Sequence, residues 1–552
     1  MQATIIQAPC WTTDSPPYNL ALLKAVCKQD GHKITCLDFN IKFYQYLSVR
    51  KTAHLYDSPT SWCNQKYVNE IISKYSAFVD QSVSEILSLP HRVIGFTTTY
   101  LNIFFSKIIA QKIKDKNKDK IIVFGGPRCF KSEFSSKLLE TTPYIDALCY
   151  FEGENVLPNL LDLIEKENKI KYLPGIMFRD SNNSLIECPP ATSMNNLNSL
   201  PFADYSDFDL SAYTSKELPL MTSRGCINRC SFCGESQILK KYRFRCAENI
   251  FNEIKHQLSK YPFIDSFFLN DSLINGNINM LHKLCDLLLK NKITTKLHHL
   301  SNLLKKRNYN RLLNKLTRLL QKATLKENLY WGGQALIRKE MSLAFLQKLK
   351  RAGLYHVSYG LESASPRVLK LMKKKFSPEL AEEVIRNTKK AGILVHVNII
   401  IGFPGEEKKD ILLTANFLKR NKNFINNILF HPLAISYSSP LYLNKEAFGL
   451  KFENELNPNS WYSTKEANNL NSRLKTLEFY KKYITDEGKS IITPCDYYLF
   501  IAEDYLNKAN HQQALNYYLK AQKLSTDELK DIFIEKKIVS TQKVLASNRL
   551  TI

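Results

Sequence analysis

At 552 residues the chain is too long for one ordinary core. Its 44% hydrophobic content supplies material for several packed domains, and its longest apolar runs, such as Ile393 to Phe403, fall short of the roughly 20 residues a membrane helix needs. The formal charge of +25 comes from 77 basic residues scattered along nearly the whole chain, which describes a solvated lysine-rich surface and argues against a dedicated nucleic-acid footprint. Thirteen cysteines, an odd number, and an N-terminus without the charged start and apolar core of a signal peptide point to a reducing cytoplasm where thiols stay free to bind metal.

Short β-branched runs alternate with longer helical patterns, the rhythm of α/β structure with parallel strands. The first runs are Ala3 to Ile6, Lys33 to Asp38, Val93 to Thr97, Ile121 to Phe124 and Ala147 to Tyr150. Gly31 follows the helical stretch Leu20 to Lys28, Gly125-Gly126-Pro127 follows the fourth run, and Glu152-Gly153-Glu154 follows the fifth. These features outline a doubly wound, Rossmann-like sheet over residues 1–171, whose ligands would gather beyond the C-terminal strand ends. Residues 172–213, rich in proline and without periodicity, read as a connector.

Alternation resumes with six strand candidates: Leu218 to Ser223, Ser266 to Asn270, Tyr330 to Ala335, His356 to Leu361, Leu394 to Ile401 and Ile428 to Ser436. Helical patterns such as Glu248 to Tyr261, Ser342 to Ala352 and Glu379 to Ala391 separate them, so residues 214–440 predict a partial (β/α)6 barrel. The segment 290–326 interrupts it with many Lys and Arg, no acidic residue, and leucines spaced as on an amphipathic helix, which reads as a basic solvated insertion. Residues 441–552 read as a helical C-terminal region. There Ala502, Tyr505, Ala514, Tyr518 and Ala521 fall at the small and aromatic positions of one tetratricopeptide-like helix pair, a single copy that cannot form a solenoid but could dock a protein partner.

Just after the first barrel strand stands Cys226-Ile-Asn-Arg-Cys230-Ser-Phe-Cys233. Three thiolates at this spacing fit a cubic iron–sulfur cluster with one iron left open to bind a small molecule. A structural zinc site with Cys246 as fourth ligand is the alternative.

With Ser223-Arg224-Gly225 leading in and Phe232 directly before the last cysteine, the motif resembles the radical S-adenosylmethionine (SAM) superfamily. Arg245-Cys-Ala-Glu248, Phe268-Leu-Asn270-Asp271, Gly360-Leu-Glu362-Ser363 and Ile401-Gly402-Phe403-Pro404-Gly405-Glu406 extend the likeness at later strand ends. The resemblance implies that Cys226, Cys230 and Cys233 hold a [4Fe-4S] cluster which cleaves SAM to a 5′-deoxyadenosyl radical. It also implies that Phe232 and Gly402 lie near the adenine, that Asp271 lies near the SAM amino group, and that Glu362, with Ser363 beside it, receives the ribose.

The N-terminal sheet joined through Leu200-Pro201 to such a barrel resembles the cobalamin-binding radical SAM subfamily over roughly residues 1 to 440, on Pro16-Pro17-Tyr18-Asn19-Leu20, Gly31-His32, Gly125-Gly126-Pro127 and Glu152-Gly153-Glu154. By that likeness Thr97, Thr98, Thr99, Tyr100, Gly125, Gly126, Glu152 and Gly153 would line a corrinoid. No Asp-x-His-x-x-Gly motif is present to ligate cobalt, and His32 reads as a capping or surface residue. The implied activity is cobalamin-dependent methylation of an unactivated carbon, on a small molecule or peptide, with electrons from an external donor such as flavodoxin or ferredoxin. A radical SAM cyclisation or rearrangement is the alternative reaction. Cys10, Cys27, Cys36 and Cys63 do not form the second cluster pattern of a methylthiotransferase. A non-catalytic cofactor-binding adaptor is opposed by the intact cysteine triplet.

Overall fold

The computed structural model describes residues 1–56, 59–130, 133–215, 217–291, 329–453, 459–484, 502, 511–522, 534–535, 537–542 and 544–545. Two largely parallel sheets organise the chain. The first contains β1 (Gln2–Gln7), β2 (Lys33–Asp38), β3 (Val93–Thr97), β4 (Ile121–Gly125), β5 (Ala147–Cys149), β6 (Ile176–Arg179) and β7 (Leu185–Glu187), in the order β2-β1-β3-β4-β5-β6-β7. The strands from β2 through β5 pair in parallel. Successive residues face opposite layers: Ile5, Val93 and Val123 enter one core with the helices Tyr18–Gln29 and Gly153–Glu167, while Ile6, Ile94 and Phe124 enter a second with Gln65–Lys74 and Ser76–Ser88. Burial on both faces is why these strands read as unbroken apolar runs.

The strand order reverses between β1 and β3, so the crossovers from these two strands leave on opposite faces and open a crevice beyond their C-terminal ends.

The stretch expected as a structureless connector differs. Its first part supplies β6 and β7, an antiparallel pair that extends the sheet beyond β5. Strands of four and three residues are too short for alternation to register, and the Asp180–Asn183 turn between them, with Asn183 at φ +62°, has no glycine to announce it. The remainder buries Leu200, Ala203, Tyr205 and Tyr213 in the same core as Ile5 and Val123, and the Tyr213 hydroxyl donates to buried Asp38 Oδ2 at 2.7 Å.

The second sheet is β8 (Glu217–Leu220), β11 (Ser266–Leu269), β12 (Tyr330–Ala335), β13 (Leu354–Glu362), β14 (Leu394–Ile401) and β15 (Asn427–Pro432), neighbours in chain order and all parallel. A short hairpin, β9 (Ser223–Arg224) with β10 (Arg243–Phe244), stands between β8 and β11. Val357, Tyr359, Val395 and Val397 point outward and are fully buried under helices. The alternate residues His356, Ser358, His396 and Asn398 therefore face the lumen of an open barrel. Within it His356 stacks on Phe268 with ring centroids 6.0 Å apart and lies across Gly332, where any Cβ would overlap its ring.

The helix Leu470–Ile484 covers the β15 edge, stacking Tyr480 on Phe430 at 5.3 Å. Beyond it Ala502, Ala514, Tyr518 and Ala521 form a small buried cluster with Leu474, Ile534 and Ile538, so the helix His511–Gln522 packs on the barrel's covering helix. Tyr505 and residues 292–328, which include most of the basic insertion, lie outside the described residues. No helix among the described residues is long and apolar enough to cross a membrane.

Candidate active site

The cysteine loop leaves the C-terminal end of β8 and is closed by the β9–β10 hairpin. Gly225, at φ +80°, makes the turn possible, because a Cβ there would stand 2.7 Å from the Lys241 carbonyl. Asp271, just past β11, fixes the loop's entry: its carboxylate accepts the Thr222 N–H at 2.7 Å, the Ser223 hydroxyl at 2.8 Å and the Thr222 hydroxyl. Burial pushes its carboxyl up to about 6, with these hydrogen bonds working in the opposite direction. The carboxylate thus anchors the loop backbone and its flanking hydroxyls.

Cys230 is buried, Cys226 and Cys233 are half-buried, and all three are free thiols. Burial raises all three thiols, while the Lys374 ammonium draws each the other way. Cys246 stands exposed at the head of the helix Ala247–Lys260, its N–H donating to Asn198 Oδ1 at 2.8 Å.

Across the barrel mouth Glu362 ends β13 at φ +63°, a left-handed conformation costly for a side chain and held by the register shift between Gly360 and Glu362. Its Oε1 pairs with Lys374 Nζ at 3.1 Å, and Nζ also donates to the Gly360 carbonyl at 3.0 Å. The same ammonium lies 5.6 Å from the centre of the Phe232 ring. Lys374 thus links the Glu362 and Phe232 positions to the cysteine loop. In sequence it is the middle of Lys373-Lys374-Lys375, with nothing to distinguish it; Lys373, at φ +59° just past the helix Pro366–Leu371, precedes its inward turn. Ser363 points away, its hydroxyl 3.1 Å from Thr414 Oγ1 in the outer layer, which places it in packing instead of the mouth.

Gly402, at φ +77°, opens the loop after β14. A Cβ there would overlap Arg473, which is fully buried from a segment beyond the barrel and stacks on Trp461 at 3.9 Å. Asn468 Nδ2 donates to the Gly402 carbonyl at 3.0 Å and the Gly405 N–H to Glu466 at 2.8 Å, so residues of the C-terminal region clamp this loop from outside. Glu406 accepts the Gly402 N–H at 2.9 Å, and burial pushes its carboxyl up to about 8.

A cavity of about 350 Å³ joins the two sheets. Its floor is the C-terminal edge of the first sheet, with Thr97, Gly125, Gly126, Glu152 and Gly153. Its slot runs between Ile5, Leu23, Gly95 and Leu157, and its far wall is Met221, Arg224, Glu235, Asn270 and Ser272 beside the cysteine loop. None of the described residues lining it is a histidine. Asn19 donates to Thr97 Oγ1 at 2.7 Å on its rim.

Other residues expected here serve the framework. Thr98 is buried and donates to the Gly125 carbonyl at 2.8 Å, the Thr99 N–H bonds Asn102 Oδ1 at 2.6 Å, and Tyr100 lies 4.3 Å from the Arg128 guanidinium. Glu152 lines the cavity but also anchors the cysteine loop. Its Oε1 pairs with Arg224 at 2.7 Å and its Oε2 with Arg243 at 2.8 Å, while Arg224 also pairs with Glu154. His32 is buried at the opposite, N-terminal edge of the sheet, not on the surface, with Nε2 3.3 Å from Asp162.

Residues 220–418, most of the second sheet with its cysteine loop, match the model of the Radical SAM superfamily. The chain's two-sheet architecture is that of solved radical SAM proteins with an N-terminal sheet domain. The radical S-adenosylmethionine methyltransferase TsrM from Kitasatospora setae, solved with cobalamin and a [4Fe-4S] cluster, is 16% identical with a TM-score of 0.57, covering 88% of this chain and 82% of that one. The cobalamin-dependent S-adenosylmethionine radical enzyme OxsB is 16% identical with a TM-score of 0.55, covering 98% of this chain and 71% of that one. An uncharacterized methyltransferase of Pyrococcus horikoshii is 25% identical over 335 residues, 59% of this chain and 64% of that protein. The anaerobic magnesium-protoporphyrin IX monomethyl ester cyclase of Rubrivivax gelatinosus is 23% identical over 370 residues, 65% of this chain and 59% of that protein. The chain thus spans less than two thirds of the length of these two relatives.

Proposed function

We propose that the chain is a cobalamin-dependent radical SAM methyltransferase acting on an unactivated carbon, with a sheet domain that continues past residue 171 through β7 at Glu187 and a catalytic barrel over 214–440. The observation that carries this reading is the continuous cavity between the first sheet's C-terminal edge and the cysteine loop, which lets two cofactors face one substrate. Cys226, Cys230 and Cys233 fit a [4Fe-4S] cluster in number, spacing along the chain and burial. The cavity offers a corrinoid an apolar slot, the Thr97 hydroxyl and the Gly125-Gly126 backbone, the charged residues Glu152, Glu154 and Arg224 on it being paired with one another, and the absence of histidine among the described lining residues fits one bound without a protein imidazole on cobalt. When bound, the cluster with SAM supplies a 5′-deoxyadenosyl radical and the corrinoid a transferable methyl group.

The chain's own residues hold and insulate. Asp271 and Glu152 fix the cysteine loop from its two sides, Lys374 balances the charge of the thiolates and of Glu362, and Arg473 with Asn468 sets the Gly402 loop against which an adenine would lie. The lumen imidazoles His356 and His396 are both held below the usual histidine range by burial, so they present uncharged hydrogen-bonding edges to a substrate.

Anaerobic reconstitution with iron, sulfide and cobalamin tests the reading. The wild-type chain binds about four irons and one corrinoid and forms 5′-deoxyadenosine from SAM. Cys230→Ala loses cluster absorbance and SAM cleavage together, while Cys246→Ala keeps both. A Cys230→Ala chain that still cleaves SAM refutes the cluster assignment. A product without the mass of an added methylene turns the reading to cyclisation or rearrangement.

A further inference from the structure

The cavity wall beside the cysteine loop holds a carboxylate that no cation answers. Among the described residues lining the cavity, Glu152, Glu154, Arg224 and Glu235 are charged. Arg224 pairs with Glu152 and Glu154, and Arg243 with Glu152, so two guanidinium groups meet two carboxylates. Glu235 stands outside that network. Its carboxylate accepts the Ser272 hydroxyl and lies by the Gly225 N–H, both neutral donors, and no cation among the described residues acts on it. Lys374, beside the same cysteines, is taken by Glu362.

The segments that carry this wall are held firmly. Glu235 follows Cys233-Gly234, and a Cβ at Gly234 would overlap the Ser438 hydroxyl, so the turn before Glu235 is pressed against the chain leaving β15. The Leu441 N–H donates to the Ser231 carbonyl at 2.9 Å and seats that chain on the cysteine loop. Ser272 follows Asp271, whose carboxylate is bound to Thr222 and Ser223. Asn270 lines the same wall and is exposed, and its side-chain amide forms no hydrogen bond among the described residues.

A carboxylate drawn out of bulk water without a counter-charge destabilises the fold around it, whereas a ligand that brings a cation to it is bound the more tightly for supplying one. An ammonium group presents three N–H donors in a compact charge, and Glu235, the Ser272 hydroxyl and the Asn270 amide set oxygen acceptors on one wall. We infer that Glu235 anchors a protonated amine of the substrate, so that the methyl acceptor is an amine-bearing molecule whose ammonium group rests on the wall between the cysteine loop and β11. The inference rests on the function proposed above and names the substrate class which that reading leaves open. The ammonium is held and not consumed: no bond to nitrogen forms or breaks, and the anchor fixes where along the cavity the acceptor carbon stands.

The test is isothermal titration of the full chain, loaded with cluster and cobalamin, with benzylamine and with its neutral counterpart benzyl alcohol at neutral pH. The wild type binds the amine about tenfold or more tighter than the alcohol. Glu235→Gln, which keeps the shape and removes the charge, brings the two affinities together. Glu235→Asp retains part of the preference, and Asn270→Leu weakens amine binding from a different segment. SAM affinity in Glu235→Gln stays within about twofold of wild type. Equal wild-type affinity for the two probes overturns the inference, as does a preference that survives both Glu235→Gln and Asn270→Leu. A Glu235→Gln chain that loses SAM affinity about tenfold also overturns it, by assigning the carboxylate to SAM. If Glu235→Gln does not retain its cofactors, the wild-type comparison and Asn270→Leu decide the same question. Iron and corrinoid contents are read separately, so a wild-type chain that loads neither refutes the earlier reading, and this one with it, before any amine is added.

Discussion

Replacing Lys374 with methionine isolates the electrostatics of the barrel mouth. Lys374 and Glu362 have side chains only 4% and 11% exposed, and their charged atoms are 3.1 Å apart. At an effective dielectric of about 20 the Coulomb attraction at that distance is about 5 kcal/mol, and removing one member of a buried pair typically costs about 3–5 kcal/mol because the other charge is left without compensation. Methionine preserves the aliphatic volume beside Phe232 and Phe376, so packing contributes little to the loss. Lys374→Met should therefore lower stability by about 3 kcal/mol or more, read as the urea midpoint of the barrel transition followed by tryptophan fluorescence. Adding Glu362→Gln should recover at least about 2 kcal/mol, a coupling a double-mutant cycle measures directly. A Lys374→Met chain within about 0.5 kcal/mol of wild type, or a double variant that is simply additive, would refute a net stabilising role for the buried Lys374–Glu362 pair.

Arg224→Met should break the buried link to Glu152 and Glu154, costing about 3 kcal/mol in urea unfolding and reducing corrinoid retention on gel filtration, since the cavity wall and the cysteine loop share that arginine. Glu406 gives a pH signature. Its folded value of about 8 lies above an unfolded value near 4.5, so the native state holds the proton more tightly, and stability is greatest below about 4.5 and declines as pH rises through about 8, by at most about 5 kcal/mol. Glu406→Gln should flatten that slope in thermal melts, and an unchanged slope would assign it to other groups. Gly332→Ala should force the His356 ring off Phe268 and cost about 1–3 kcal/mol, visible as a lowered melting temperature, whereas a neutral substitution would show that the ring relocates freely.

The features legible in the sequence were those carried by local pattern. The runs that became β1 to β5 are apolar because both sheet faces are covered, and the runs that became β13 and β14 alternate because one face meets helices and the other the lumen. The cysteine spacing, the glycines at 225 and 402, and the ordered succession of strands likewise lie within a few residues of one another. Roles that depend on a partner distant in sequence were not legible. Asp271 and Ser363 sit at the strand ends the pattern selects, yet their side chains are taken up by Thr222 and Ser223 in one case and Thr414 in the other. Thr98 and Thr99 stand in the expected loop but bond inward to the framework.

By itself the sequence determined the class of chemistry. Three thiols at fixed spacing after a barrel strand need only the local chain to bring them together, and alternating strands and helices need only nearest-neighbour packing to form parallel sheets. Tertiary structure alone decided which residues surround that centre. Lys374 is distinguished from Lys373 and Lys375 by the left-handed turn before it, Arg473 reaches Gly402 from beyond the barrel, and Glu152 grips Arg224 across the two sheets. Each of these contacts joins segments distant along the chain, and the charge of a side chain says nothing about its partner until folding has removed water from around it.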